Sequence, residues 1–260
     1  MALLTGTQTV PDRMLGCWRR RYIRFANGDE DRTTQVIWLQ TASGMADLRI
    51  AATRPGLGNR TGLGACTDDE LLALAEQDCS CGVTLLDERA APHPTATWQN
   101  ADFGCSLQPI SLYPEPGWFE WREQDRCMME WAPSGAYEED WRLEPDSRGP
   151  ARHLVHVNAT ATENLFIAGE HLVYARNRTV AVPEKRALRE LVAANLHDRK
   201  LVHALLNFEM SYGRRVSSRK YWIALSSLPW KEGTDIDLGW LPDLTDGAGR
   251  TWRIVSDWLP

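Results

Sequence analysis

Gly16-Cys17-Trp18-Arg19-Arg20-Arg21-Tyr22-Ile23-Arg24-Phe25 is the stretch whose reading decides the fold. A Gly followed two residues later by a Trp, at the head of an alternating segment, sets a large ring just inside a first strand. There it plugs one end of a small closed barrel. Working outward, Asn27-Gly28-Asp29 and Ser43-Gly44 are turn sequences. They separate segments 15–25, 33–41 and 45–51, which read as three consecutive strands. In Val36-Ile37-Trp38-Leu39-Gln40 both faces are largely apolar, as in a strand covered on both sides. In Ala46-Asp47-Leu48-Arg49-Ile50 the alternation is sharper: Leu48 and Ile50 point one way, Asp47 and Arg49 the other.

Beyond these strands, Arg54 to Ala65 is a Gly-rich loop without the Lys-Ser/Thr step of a phosphate loop. Thr67-Asp68-Asp69-Glu70 is a capping box. It opens a short amphipathic helix over Leu71–Gln77 that could lie across a barrel mouth. Strands are expected at 81–88, 95–102, 106–113, 117–123, 126–132 and 137–143, punctuated by Pro92, Pro94, Pro114 and Pro116. The run Pro145-Asp146-Ser147-Arg148-Gly149-Pro150 reads as a junction too short to be a free linker. After it, strands are expected at 153–158, 164–176, 203–212, 219–226 and 250–257. One helix is expected to open at Pro183 and run through Val192. The chain is therefore expected to be mainly β: two antiparallel barrels packed together, one short helix in each half, divided as 1–148 and 149–260.

Composition narrows the function classes. The 260 residues are 43% hydrophobic and 25% charged, the balance of an ordinary globular chain with a substantial core. With 29 basic and 35 acidic residues the net charge is −6. That argues against nucleic acid, whose affinity rests on Lys and Arg neutralising phosphates. The run Arg19-Arg20-Arg21 reads as a solvated strand edge, since three successive strand residues cannot share a face. No apolar run approaches the roughly 18 residues that a membrane helix needs. Met1–Val10 lacks the pattern of a signal peptide, so a cytoplasmic protein is expected. In that setting Cys17, Cys66, Cys79, Cys81, Cys105 and Cys127 read as free thiols. Cys79-Ser-Cys81 has no second pair at zinc spacing, so neither a metal nor a cofactor is expected.

Four segments further along carry a family resemblance. Trp98-Gln99-Asn100-x-x-x-Gly104-Cys105, Tyr137-Glu138-Glu139-Asp140-Trp141, Asn164-Leu165-Phe166-Ile167-Ala168-Gly169 and Ser211-Tyr212-Gly213 fall in the order of similar segments in the fungal Hri-type, kinase-interacting proteins. The resemblance spans roughly residues 95–257. It implies two lipocalin-like barrels in one body. No catalytic residue of that family maps onto this chain, and its kinase partner is not carried over.

Candidate chemistry lies on polar residues whose faces can point inward. Asp47 and Arg49 form a buried pair and a site if their face is interior, and a surface ion pair if it is not. With Trp38 and Gln40 one hairpin away they can build a mixed aromatic and polar wall. Trp98 and Asn100 share a face, as do Tyr137, Glu139 and Trp141. A Glu between two aromatics can be a general acid or base. Alternatively the aromatics cover a seam and Glu139 pairs with Arg122 or Arg142. Asp47 and Glu139 are thus the catalytic candidates. Trp38, Gln40, Arg49, Trp98, Asn100, Tyr137 and Trp141 are the ligand-binding candidates. The leading expectation is binding of a small apolar or aromatic molecule in a barrel cavity. The alternatives are a cofactor-independent lyase, isomerase or hydrolase working inside the barrel, and an interaction module with filled barrels. Oligomeric state is not legible.

Overall fold

A single 3-10 turn, Asp12–Met14, precedes strand β1 (Gly16–Phe25), and Trp18 Nε1 donates back to the Met14 carbonyl at 2.8 Å. Gly16 has φ +138°, and a Cβ there would lie 2.8 Å from Leu143 Cδ1, so the position needs glycine. The computed structural model describes residues 9–57, 60–99, 102–157, 161–182 and 186–259.

β1 pairs with β3 (Gln35–Gln40) over Gly16–Arg19, and with β10 (Tyr137–Leu143) over Trp18–Phe25. This double pairing closes the first sheet. The ring runs from β1 and β3 through β4 (Met45–Ile50), β5 (Asp78–Asp87), β6 (Thr95–Gln99), β8 (Gly117–Arg122), β9 (Cys127–Trp131) and β10 back to β1. It is an eight-stranded antiparallel barrel. Two-residue strands β2 (Glu30–Asp31) and β7 (Cys105–Ser106) flank β1 and β5. Trp18, Trp38, Phe119, Met128 and Trp141 fill its interior. The Trp38 ring sits 5.6 Å from Trp141 and 6.1 Å from Phe119 between centroids. The expected strand 106–113 pairs only at its start. Beyond Ser106 the chain is irregular, because Pro109, Pro114 and Pro116 have no N–H for a ladder.

The second sheet has seven strands: β11 (Ala151–Val157), β12 (Thr162–Ala168), β13 (His171–Arg176), β14 (Glu209–Arg215), β15 (Lys220–Ser226), β16 (Asp235–Asp237) and β17 (Arg253–Trp258). All pairings are antiparallel, and β16 and β17 are its end strands. The single strand expected over 164–176 is a hairpin. Gly169 turns it with φ +55°, and a Cβ there would lie 2.2 Å from the Asp146 carbonyl oxygen. Residues 203–206 are helical rather than strand. They belong to α3 (Arg199–Leu206), whose Val202, Leu205 and Leu206 fall at helical spacing. With α2 (Leu188–Ala194) the second half holds two helices, not one. Pro183, the expected start of α2, lies outside the described residues.

The two sheets share one core. Ile37, Leu39, Ala46 and Leu48 on the outer face of the barrel meet Phe166, Val173, Met210 and Tyr212 of the second sheet. Helix α1 (Asp68–Leu74) joins this core through Leu71 and Leu74 and packs on α2, rather than lying across the barrel mouth. Its capping box is formed: Glu70 N donates to Thr67 Oγ1 at 3.3 Å, and Thr67 N to Glu70 Oε2 at 2.8 Å. Thr67→Ala is expected to lower stability by about 1 kcal/mol in urea unfolding, the worth of one lost cap. An unchanged midpoint would mean the packing of Leu71 and Leu74 alone holds the helix. All six cysteines are buried free thiols, and Cys79 and Cys81 pack in the shared core.

Candidate functional site

Strands β1, β4, β9 and β10 turn charged side chains into the barrel at one end of the aromatic core. Asp47 and Arg49 share the face of β4 that carries Met45, and that face is interior. Arg49 holds Asp47 through Nε to Oδ1 and Nη2 to Oδ2, both at 2.9 Å. Its Nη1 reaches Glu139 Oε1 at 3.3 Å. Arg20 donates to the same oxygen at 2.6 Å and is only 7% exposed, so the Arg run is not wholly a solvated edge. A register shift between Arg20 and Tyr22 separates this inward residue from exposed Arg21. Burial works against the Arg49 charge, but Asp47 and Glu139 more than offset it and hold the guanidinium firmly protonated.

Glu130, opposite Glu139 in the β9–β10 register, accepts a hydrogen bond from Trp141 Nε1 at 3.1 Å. Burial pushes its carboxyl well above the usual range, and the Glu139 carboxylate adds to the effect. Burial likewise raises Asp78, from its ordinary 3.8 to about 6, with Arg49 opposing and Asp47 adding. A cavity of about 100 Å³ remains among Trp38, Asp47, Arg49, Asp78, Glu130 and Tyr137. A neighbouring space of about 230 Å³ shares Asp78, Ser80 and Trp98 with it, and Gln108 to Leu112 line its other side.

The structure thus brings together Trp38, Arg49, Trp98, Tyr137, Trp141, Asp47 and Glu139, all but one through the cavity walls. Glu139 pairs with Arg20 and Arg49, not with Arg122 or Arg142, which bind Glu120 and Asp140. Two guanidiniums occupy it, which is a poor setting for proton transfer. Gln40 is a structural pin. Its oxygen accepts from Trp38 Nε1 and Thr84 Oγ1, and its nitrogen donates to the carbonyls of Thr41 and Gly44. Asn100 lies outside the described residues. Glu130 and Asp78, whose carboxyls have no guanidinium within salt-bridge distance among the described residues, were not legible. Both sit in strands whose facing neighbours only the fold supplies.

A larger cavity, about 730 Å³, lies against the second sheet. Leu165, Tyr174, Ile236, Leu238, Trp240 and Trp252 form its apolar wall. The Trp240 and Trp252 rings stack at 5.2 Å between centroids. The loop between them is held by Asp246, which accepts from Trp252 Nε1 at 3.1 Å and Arg250 Nε at 2.7 Å. Burial opposes the Asp246 charge, but these bonds and the backbone N–H groups of Ala248 and Arg250 bring its pKa down to about 2. Arg250 also binds both oxygens of Glu163, at 2.7 and 2.6 Å, and Tyr174 donates to Glu163 at 2.6 Å. At the same rim Arg176 and Lys231 stand 3.9 and 3.6 Å from Glu209. Sequence reading missed this cavity because Trp240 lies outside every expected strand and Trp252 was placed within the strand expected at 250–257, whereas β17 begins at Arg253. The one usable signal was two Trp in a tail segment whose periodicity could not explain them.

Neither a protein-family model nor a curated protein matches this chain. Among solved structures the chain is similar to the crystal structure of an uncharacterized protein of Saccharomyces cerevisiae, YLR301w. The TM-score is 0.56 over 94% of this chain and 98% of that one, at 11% identity. At that identity the likeness shows the fold alone. Among the described residues no group of His, Cys, Asp and Glu side chains is placed to hold a metal ion, and no helix is long and apolar enough to cross a membrane.

Proposed function

We propose that the protein binds a small apolar or aromatic molecule, and that the cavity against the second sheet holds it. The observation that carries this reading is that cavity's size and wall: about 730 Å³, faced by the stacked Trp240–Trp252 pair. Ligand pockets run about 300–1,000 Å³, are mostly apolar and carry a few fixed polar groups. The barrel interior suits a ligand less, since side chains fill it and leave about 100 Å³. The reading keeps the first half as a lipocalin-like barrel plugged by Trp18. It keeps the resemblance to the Hri-type proteins as one of architecture. It takes the protein to be cytoplasmic, on the strength of its free cysteines.

The test is titration with N-phenyl-1-naphthylamine, a neutral aromatic probe, read by probe and Trp fluorescence. Saturable binding is expected, weakened about tenfold in Trp240→Ala, which removes one face of the stack. Absence of saturable binding, or equal binding by Trp240→Ala, would sink the assignment. A second reading, acid–base catalysis inside the barrel, is supported by Glu130 and Asp78, whose carboxyls burial biases toward the neutral form.

A further inference from the structure

Cys81 and Cys105 are direct antiparallel partners across the β5–β7 pairing, and their sulfurs stand 3.0 Å apart. Opposed antiparallel residues have Cα atoms about 4.5–5.5 Å apart, inside the span of a disulfide. Both side chains are buried, and Asn164 Nδ2 lies 3.6 Å from Cys81 Sγ. A second observation concerns Arg178, which is 5% exposed. Its Nη2 donates to the carbonyls of Ser106 and Leu107, the two residues after Cys105. Its Nε and Nη1 have no hydrogen-bond partner, and no carboxylate pairs with it among the described residues. A buried guanidinium without a counter-ion is costly. The neighbouring Cys81 and burial hold the Cys105 thiol well above its ordinary range, and the Arg178 charge opposes them only in part.

We propose that Cys81 and Cys105 are a redox-active dithiol that closes to a disulfide by exchange with a low-molecular-weight disulfide. Cys105 loses its proton to solvent and attacks one sulfur of the small disulfide. That S–S bond breaks, and one small thiolate leaves and takes up a proton. Cys81, deprotonated in turn, attacks Cys105 Sγ in the mixed disulfide and expels the second small thiolate, which is protonated. Two protein thiols are oxidised and one small disulfide is reduced to two thiols. Both sulfurs are buried, so exchange requires β7 to move. β7 is two residues long, and its movement must open the bond from Leu107 N to the Cys79 carbonyl at 2.8 Å and those from Arg178 to Ser106 and Leu107. The new bond would tie β7 to β5 and anchor the chain that lines the smaller barrel cavity at Gln108 to Leu112.

The test incubates the full chain, natively folded, with glutathione disulfide. It is then quenched with acid, unfolded, alkylated with N-ethylmaleimide and weighed. The reduced chain should take six maleimides, one for each cysteine, and the oxidised chain two fewer, with peptide mapping placing the bond between Cys81 and Cys105. Cys105→Ala should leave every remaining cysteine labelled. Arg178→Met should slow closure about threefold, since removing one cation makes the thiol about tenfold harder to ionise while the more basic thiolate regains about half of that in nucleophilicity. Six labels after exposure, or a bond mapped to another pair, overturns the proposal whatever the variants do. Closure of Arg178→Met at the wild-type rate means that the Arg178 charge takes no part in closure.

Discussion

Replacing Arg49 by Met is expected to cost about 3 kcal/mol of stability at neutral pH, the low end of what breaking a buried ion pair costs. Arg49 holds both oxygens of Asp47 and one of Glu139. Without it Asp47 has no cation bonded to it in a confined space, and Glu139 retains Arg20 alone. The low end of the range applies because Asp47 and Arg49 side chains each keep 15% exposure, so some water still reaches them. Met fills much of the stem's volume, so packing loss stays secondary. Urea unfolding should show a lower midpoint with an unchanged slope. One further outcome identifies the cause as an uncompensated charge. The double variant Asp47→Leu/Arg49→Met should lose less than Arg49→Met alone. Arg122→Met, which breaks only the exposed pair with Glu120, should change stability by about 0.5 kcal/mol or less. A loss under about 1 kcal/mol for Arg49→Met would show that the barrel interior is wet enough to treat Asp47 as a surface carboxylate.

The second large effect has the opposite sign. Asp78→Asn is expected to stabilise the protein at pH 7.5 by about 2 kcal/mol. Burial raises the Asp78 carboxyl from 3.8 to about 6 in the folded state. Every tenfold change in a group's proton affinity on folding is worth about 1.4 kcal/mol, and the partial exposure of Asp78 to cavity water reduces the total. Well below 3.8 the group is protonated folded and unfolded alike, so it contributes almost no difference. Between about 4 and 6 the folded state binds the proton and the unfolded chain does not, so stability falls as pH rises. Above 6 the full penalty is present. The advantage of Asp78→Asn should therefore be almost absent at pH 3.5, grow through pH 5 and level off above pH 6.5. A constant advantage at all pH values would mean that Asn improves packing and that Asp78 is not raised. That result would also remove one of the two groups on which the catalytic reading rests, leaving Glu130 alone.

Local signals in the sequence carried the reading where neighbours in the chain are also neighbours in space. Gly16, Trp18 and the turns at Asn27-Gly28 and Ser43-Gly44 set out the first hairpins, because a two-residue period and a tight turn are properties of the segment itself. Thr67 and Glu70 marked a helix start for the same reason. Asp47 and Arg49 were legible as a pair on one face, but not as an interior pair. Which face is inside depends on β1 meeting β10, across more than a hundred residues. Segments where two local readings compete went astray. Gly169 permits either an extended run or a turn, and the Asp146 carbonyl packed against it decides for the turn. Residues 203–206 suit a strand by composition and a helix by the spacing of Val202, Leu205 and Leu206.

What the sequence by itself determined is a mainly β chain whose first strand carries a core residue, Trp18, with polar residues on a defined face of β4. What only the tertiary structure decided is which of those faces is enclosed and which partners it meets. Arg20 and Arg49 converge on Glu139, Glu130 is left with Trp141, Cys81 faces Cys105, and Trp240 stacks on Trp252 beside a cavity of about 730 Å³. The physical reason is that strand alternation specifies two faces without ranking them. Closure of the barrel and packing of the second sheet on its outer wall then assign one face to each core, and so set the burial from which every charge and thiol here takes its chemistry.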